Sequence, residues 1–407
     1  MNIVVFSDMY NGVSGGIPVS IRAQKRALEE LGHRVTVFYP AKEPSRDPTE
    51  IVVPINNFLS SFGVPMAKLP KKLTDFVLKK MYKLGKVDVI HVHYELVASL
   101  VGMRVARDLD IPLVVTMHGR EDMAIKMNVP QPFGLISSAG LAGLHKIMIP
   151  HETKLKKDKA LTKTLTTKNM WEIMVNHANY ADAVITPTRH FAEKLECYGV
   201  KRPITVVSNG VEDEFVKKLG EVSPRKWDGK EPLKIIWASR VSKEKRPVEF
   251  LKAVHKTKLP VRLDIYGDGA ALGAVKTYIN MNKMSGFVKV HGHVSQECVI
   301  KEMVNHHVMI VNSYGFDTQS ITLLEGVATG LPPIFADPDM AEVVVEGGYL
   351  LVKSPKVADM ALALEELGQH PKMVEKMSKV LLARRGEVLQ SMQTNKLLEV
   401  YEDVSRA

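Results

Sequence analysis

An α/β protein made of two successive doubly wound halves, with a helical C-terminal tail, is the fold predicted for this chain. Short apolar runs of strand type alternate with stretches of helical period from one end to the other, a rhythm that gives open, mostly parallel sheets buried on both faces. The polar stretch SPRKWDGKEP (223–232) interrupts that rhythm once, after which it restarts. Length agrees, because 407 residues exceed what one ordinary hydrophobic core serves.

In the first half the strand-type runs are IVVFS (3–7), RVTVFY (34–39), DVIHVH (88–93), PLVVTMH (112–118), DAVITP (182–187) and ITVVSN (204–209). Each is short, apolar and rich in β-branched residues, and helices are expected near 17–31, 95–109 and 189–198 between them. The second half repeats the pattern with LKIIWAS (233–239), VRLDIYG (261–267), VKVHG (288–292), HVMIVNS (307–313) and PPIFAD (332–337). The last part, 354–407, reads as helices with no further strand. The expected domains are therefore 1–212, 213–385 and a terminal helix, 386–407, packing back on the first. Ligand is expected in the cleft facing the C-terminal ends of the strands.

Two cysteines, Cys197 and Cys298, form no CxxC or cluster, so neither a disulfide framework nor a zinc site is indicated, and a reducing cytoplasm is the expected setting. The N-terminal MNIVVFS reads as a strand rather than a signal peptide, and no apolar run reaches the length of a membrane span. The most apolar stretch, PFGLISSAGLAGLHKIMIP (132–150), can touch a membrane but not cross one. A net charge of +10 implies attraction to something anionic. Much of the excess lies in two segments: residues 66–86 hold seven lysines against one acid, and 145–172 hold seven against three. Nucleic acid is not the expected partner, since the chain has no helix-turn-helix, zinc finger or RNP-type aromatic strand and only 6% aromatic residues.

The candidate site begins at the first βα turn, NGVSGGIPVS (11–20), where Gly15 and Gly16 permit close backbone approach and the helix start can face an anion. In the second half, WASRVSKEKRP (237–247) places Arg240 and Lys245 just after a strand, two fixed cations suited to a diphosphate. The segment SITLLEGVA (320–328) reads as a buried helix preceded by polar DTQS, so its first amides favour a phosphate. Asp317 lies before that helix and Glu325 about two turns inside it, a spacing that suits two parts of one extended ligand rather than a close acid pair. His118 ends the run PLVVTMH and is followed by Arg120, Glu121 and Asp122, which makes it a candidate for catalysis. The pairs His91/His93 and His291/His293 put both rings on one strand face, but no third ligand is evident and no metal is expected. The DPD string (337–339) reads as a loop.

Taken together these segments resemble the retaining GT-B glycosyltransferases of family 4. The matching pieces are SGGIP, DVIHVHYE, VVTMHGRED, ADAVITPTRHFAEKL, ITVVSNGVEDEF, ASRVSKEK, IYGDG, VKVHGHV and DTQSITLLEGVATGLPPIFAD, in family order over nearly the whole chain. The resemblance implies two Rossmann-like domains facing across a cleft and a nucleoside diphosphate sugar, expected to be UDP-linked, as donor substrate with no further cofactor. Its acid-x7-acid motif falls on Asp317, at the donor sugar, and Glu325, at the ribose. The diphosphate falls to Arg240 and Lys245, helped by Gly16 and by amides near Leu323 and Leu324, and the family's strand-end histidine falls on His118. One departure is that the first acid is usually Glu. Within the family the chain is most similar to diacylglycerol α-glucosyltransferases and phosphatidylinositol mannosyltransferases, on the shared Glu121-Asp122, on KRPITVVSNG and on the basic segments.

The segment 66–86 supports membrane contact independently, because Leu69, Leu73, Phe76, Val77, Met81 and Leu84 recur at helical spacing while most lysines, including Lys72, Lys79, Lys80 and Lys83, fall elsewhere on the wheel. Basic amphipathic helices bind anionic bilayers at roughly 1 kcal/mol per surface-near lysine. A core-facing helix with a solvated lysine face is the alternative. The expected activity is metal-independent transfer of glucose from UDP-glucose to diacylglycerol by an enzyme peripheral on the cytoplasmic membrane face, with Asp122 a further candidate for positioning His118 or the acceptor. A soluble or phosphatidylinositol-type acceptor and a non-catalytic basic sugar-nucleotide or nucleic-acid binder are the alternatives.

Overall fold

The computed structural model describes residues 1–13, 15–56, 65–68, 70–155 and 163–406. They form two compact units, Met1–Ser208 with Gln393–Ala407, and Asn209–Met392.

The first unit holds β1 (Asn2–Ser7), α1 (Gly16–Glu30), β2 (Arg34–Pro40), β3 (Glu50–Val53), α2 (Pro70–Met81), β4 (Val89–His93) and α3 (Val97–Asp108), then β5 (Leu113–Thr116), α4 (Glu121–Asn128), α5 (Phe133–Met148), α6 (Leu165–Tyr180), β6 (Ala183–Thr186), α7 (Arg189–Tyr198) and β7 (Ile204–Val206). Its seven strands are parallel in the order β3-β2-β1-β4-β5-β6-β7. The sheet is covered on both faces, which is why its central strands read as continuous apolar runs. Leu73, Leu100, Trp171 and Phe191 pack on one face, and Ile21 and Leu28 with Leu397 and Tyr401 on the other.

The second unit holds α8 (Asp213–Lys218), β8 (Leu233–Ala238), α9 (Pro247–Lys256), β9 (Val261–Tyr266), α10 (Leu272–Met281), β10 (Val288–Gly292), α11 (Gln296–Met303), β11 (Val308–Val311), α12 (Ile321–Thr329), β12 (Pro333–Phe335), β13 (Leu350–Leu351), α13 (Val357–Gln369) and α14 (Lys372–Arg384). Its six parallel strands run β10-β9-β8-β11-β12-β13. The last helix, α15 (Gln390–Arg406), carries the chain back to the first unit. The strand order reverses beside β1 and β4 in one sheet and beside β8 and β11 in the other, where crevices for ligands open.

Three features depart from the sequence reading. The edge strands β3 and β13 were not anticipated, being only four and two residues long. The interrupting stretch 223–232 is not a solvated linker: Trp227 is buried, and Arg225 donates through its guanidinium to the carbonyls of Ser223 (3.1 Å), Met303 (3.3 Å) and Thr329 (2.8 Å). Burial lowers the Arg225 pKa to about 10. Finally, Leu73, Val77 and Met81 of α2 are buried in the core, with Phe76 and Leu84 half-buried against it. The apolar face of the basic helix is therefore taken by the protein, while Lys72, Lys79, Lys80 and Lys83 are exposed. Leu69 lies outside the described residues.

Candidate active site

In the second unit the loop that leaves β8 is held by the glycines of IYGDG. Gly267 (φ +132°) and Gly269 (φ +152°) have backbones that L side chains rarely adopt, and a Cβ at either would overlap the carbonyl of Ser239 or Val241. Val241 N–H donates to Asp268 O (2.9 Å) and Ala271 N–H to Val241 O (2.9 Å), which fixes the loop that carries Arg240. The Arg240 guanidinium donates to the buried Glu244 carboxylate (3.0 Å), which also accepts from Ser242 Oγ (2.6 Å). Arg240 keeps 39% of its side chain exposed, so it is oriented without being enclosed.

Lys245 Nζ donates to both oxygens of Asp317, at 2.6 and 2.7 Å, and Ser313 Oγ also donates to that carboxylate. The sequence reading gives the two residues different parts of a ligand, whereas here they face each other. The pair borders a small cavity lined by Trp237, Ser239, Ile310, Asn312, Ser313 and Ser320. Ser320 caps α12 without a side-chain bond. The amides of Leu323 and Leu324 both donate to Ser320 O, at 3.1 and 3.3 Å, and both side chains are in the core. The amides that lack a partner inside the helix are thus those of its first residues, Ile321 and Thr322, one step before the positions the sequence suggests.

Glu325 lies deeper on α12 and is 4% exposed. Gln296 Nε2, at the start of α11, donates to its Oε1 at 2.6 Å. Burial raises the Glu325 pKa to about 7, against the lowering effect of Gln296. Asp317 and Glu325 thus have separate partners. The DPD string is not a loop but the start of a short 3₁₀ helix, Pro338–Val343, whose N-cap Asp337 accepts from the amides of Gly315 (2.6 Å) and Asp339 (3.2 Å).

In the first unit, Gly15 (φ +150°) caps α1 and Gly16 is its first residue, with no acid in the first turn. Beside this turn Asp8 accepts from the amides of Ala98 (2.8 Å) and Ser99 (3.1 Å) at the start of α3. The strand PLVVTMH ends at Thr116, so His118 stands in the loop beyond it. His118 Nε2 is 2.8 Å from His93 Nδ1, His93 Nε2 is 3.2 Å from His91 Nδ1, and His91 Nδ1 is 2.6 Å from the hydroxyl of Tyr401 on α15. Burial lowers the pKa of His118 to about 4 and of His91 to about 3, and lowers that of His93 well below its ordinary value, so the rings are neutral.

The proton order then follows from the tyrosine outward. A phenol whose ionisation burial suppresses donates, so His91 Nδ1 accepts and its Nε2–H donates to Thr116 Oγ1, 2.7 Å away. The one in-plane lone pair of His91 Nδ1 is thereby taken, so the 3.2 Å approach of His93 Nε2 is a ring-on-ring contact, with centroids 3.9 Å apart, while one proton lies between His93 Nδ1 and His118 Nε2. These contacts hold the His118 ring in one orientation.

Asp122 is 1% exposed and both its oxygens accept from Arg120, at 2.8 and 2.9 Å. The Arg120 guanidinium lies 5.7 Å from the ring centre of Trp171. Asp122 thus anchors its neighbour to the core instead of reaching His118 among its described contacts. A second acidic group was missed by the sequence reading: Glu95 is buried, and burial with the nearby charges of Glu121 and Asp8 pushes its pKa well up. Tyr94, at φ +103°, donates its hydroxyl to Glu121 (2.8 Å). A backbone of this kind at a tyrosine is uncommon, and such positions cluster at active sites, ligand clamps and switches. Its sequence signal is the YE that follows the HxH pair.

Residues 14–215 match the family described as Glycosyltransferase Family 4, and residues 222–380 the one described as Glycosyl transferases group 1. The chain belongs to glycosyltransferase family 4. This glycosyltransferase is 25% identical over 400 residues to the alpha-monoglucosyldiacylglycerol synthase of Acholeplasma laidlawii, covering 93% of this chain and 91% of that one. It is 25% identical over 358 residues to the protein of the same name from Streptococcus pneumoniae, covering 82% and 70%. Among solved structures, that of the Anabaena HepE protein in complex with UDP superposes with a TM-score of 0.69 at 14% identity, covering 99% of this chain and all, 100%, of that one. The two parallel-sheet units are those of the GT-B fold. In the glycosyltransferase the described cations, the start of α12 and Glu325 all lie within the second unit, while the histidine chain and the Gly15 turn belong to the first. Among the described residues no helix is long and apolar enough to cross a membrane.

Proposed function

We propose that this enzyme transfers glucose from UDP-glucose to the free hydroxyl of 1,2-diacylglycerol, with retention at the anomeric carbon and without a metal ion, as a peripheral enzyme of the cytoplasmic membrane face. The observation that supports the reaction type is the meeting of Lys245, Asp317 and Ser320, at the start of α12, around one small cavity at the strand-order reversal of the second sheet, with Arg240 on the loop that leaves β8. The acceptor class follows from the two relatives named monoglucosyldiacylglycerol synthase, the first of which spans 93% of this chain.

In the reaction the bond between the anomeric carbon and the diphosphate oxygen breaks, and its electron pair leaves with UDP. Negative charge grows on the diphosphate, where Arg240, Lys245 and the amides of Ile321 and Thr322 stabilise it. To reach the phosphate, Lys245 shares or gives up its contact with Asp317, which frees that carboxylate for the hydroxyls of the glucose. Glu325 accepts from the ribose. The acceptor oxygen bonds to the anomeric carbon from the side the diphosphate leaves, and its proton passes to the departing phosphate oxygen. His118, held neutral and oriented by His93, hydrogen-bonds a sugar hydroxyl.

A panel of radiolabelled UDP- and GDP-sugars with diacylglycerol, phosphatidylinositol and a soluble polyol tests this reading. The expected labelled product is glucosyl diacylglycerol from UDP-glucose, at a rate unchanged by chelator. Label appearing in the polyol or in phosphatidylinositol alone would replace the acceptor, and loss of rate with chelator would remove the metal-free step.

A further inference from the structure

The first unit carries an apolar surface that neither its core nor the proposed chemistry uses. Helix α5 has no acidic residue, and its only lysine is Lys146. Along one face lie Phe133, Ile136, Gly140, Gly143 and Ile147, spaced so that all five fall within a quarter of the helical wheel. Phe133, Ile136 and Ile147 are 64%, 63% and 81% exposed. Gly140 and Gly143 meet nothing where a Cβ would stand, so internal packing does not require them, and glycine in an exposed helix disfavours the helix in water. A continuous apolar helix face of this kind marks an interaction surface.

We propose that this face of α5 inserts into the headgroup boundary of an anionic lipid bilayer, and that the exposed lysines of α2 attract the surface it enters. Both helices pack against α3, over the same face of the sheet. Lys71, Lys72, Lys79 and Lys80 on α2 are exposed, with Lys83 and Lys86 just after it, against the single acid Asp75. Charge decides between a bilayer and a second copy of the chain. With a net charge of +10, two copies repel, whereas an anionic surface attracts both the lysines and the body of the protein. This assigns the apolar and cationic roles to different helices, since α2 spends its own apolar face on the core. The inference extends the lipid-acceptor reading above but is tested apart from it.

The three native tryptophans, Trp171, Trp227 and Trp237, are all buried, so a Phe133→Trp variant of the full chain carries one exposed indole. With vesicles of phosphatidylglycerol and phosphatidylcholine its emission is expected to shift to the blue and to be quenched by brominated acyl chains. In flotation with the same vesicles, Ile136→Glu and Ile147→Glu are each expected to weaken partitioning about tenfold, with an unchanged urea melt followed at Trp171 of the first unit as the check on folding. Lys79→Glu with Lys80→Glu is expected to weaken it and flatten its salt dependence. Three results would overturn the proposal: no shift with anionic vesicles, an equal shift with phosphatidylcholine alone, or a shift that follows protein concentration without lipid, which would mean a second copy covers the face. Transfer to diacylglycerol dispersed in detergent separates the two readings, because it tests the acceptor without a bilayer.

Discussion

Glu325 is a carboxyl that burial leaves about half ionised at neutral pH. If it accepts from a ribose, the ionised form binds, so UDP affinity should rise as pH climbs through about 7 and fall below it, by up to about tenfold per pH unit. Titration calorimetry at several pH values checks this, and Glu325→Gln should remove that dependence while leaving the part that UDP itself contributes. Lys245 and Asp317 form the other sensitive contact, being 16% and 10% exposed. Lys245→Ala leaves the carboxylate without its cation and should lower stability by about 3 kcal/mol, part of which Asp317→Asn in the same chain should restore. Urea melts of the two single variants and the double variant measure the coupling, and a double-variant loss equal to the sum of the two single losses would exclude it. At this scale the separation of Asp317 and Glu325 was legible, because eight positions across a helix start keep two side chains apart. Their partners were not: Lys245 and Gln296 reach them from other elements, 72 and 29 positions away.

Periodicity read most elements correctly and one element's use incompletely. The HxH spacing in β4 placed both histidines on one face, and their rings do stack close, with centres 3.9 Å apart. Nothing in the sequence linked them to Tyr401, which lies 310 positions from His91 and joins through a helix that returns after the second unit. Tyr401→Phe removes the donor that orders the ring chain. Turnover should drop on the order of tenfold with donor affinity unchanged, and steady-state kinetics beside UDP binding would show whether the two separate as stated. The wheel of α2 was read correctly as amphipathic, but periodicity is the same for a face that meets a core and one that meets a membrane. Burial of Leu73, Val77 and Met81 made the choice.

For the molecule as a whole, buried histidines set the response to acid. His91, His93, His118, His145 and His177 in the first unit and His307 in the second all have pKa values lowered chiefly by burial. Below the unfolded value of about 6.5, an unfolded chain takes up protons that the folded rings refuse. Stability is therefore complete above that value and falls as pH drops toward the folded values, by up to about 1.4 kcal/mol per pH unit for each ring. The buried acids Asp8 and Glu95 in the first unit and Glu325 in the second, whose pKa values are raised, oppose part of this fall. The first unit should lose more. Urea unfolding at pH 7 and at about pH 5, followed at Trp171 in a chain lacking the other two indoles and at Trp227 and Trp237 in Trp171→Phe, compares them; equal shifts would contradict the assignment. Both halves of the fold were legible from the alternation of apolar runs, whereas the two edge strands were too short to announce themselves.

The return of α15 also bears on how the protein is made. On the ribosome every strand of the first sheet has emerged by Val206, yet one side of that sheet lacks Leu397, Val400 and Tyr401 until the entire second unit has been synthesised. A nascent chain thus carries an unsealed apolar face and an unordered His118 until α15 has emerged. The arrival of that one helix seals the sheet and supports the ring stack beneath His118 in a single event.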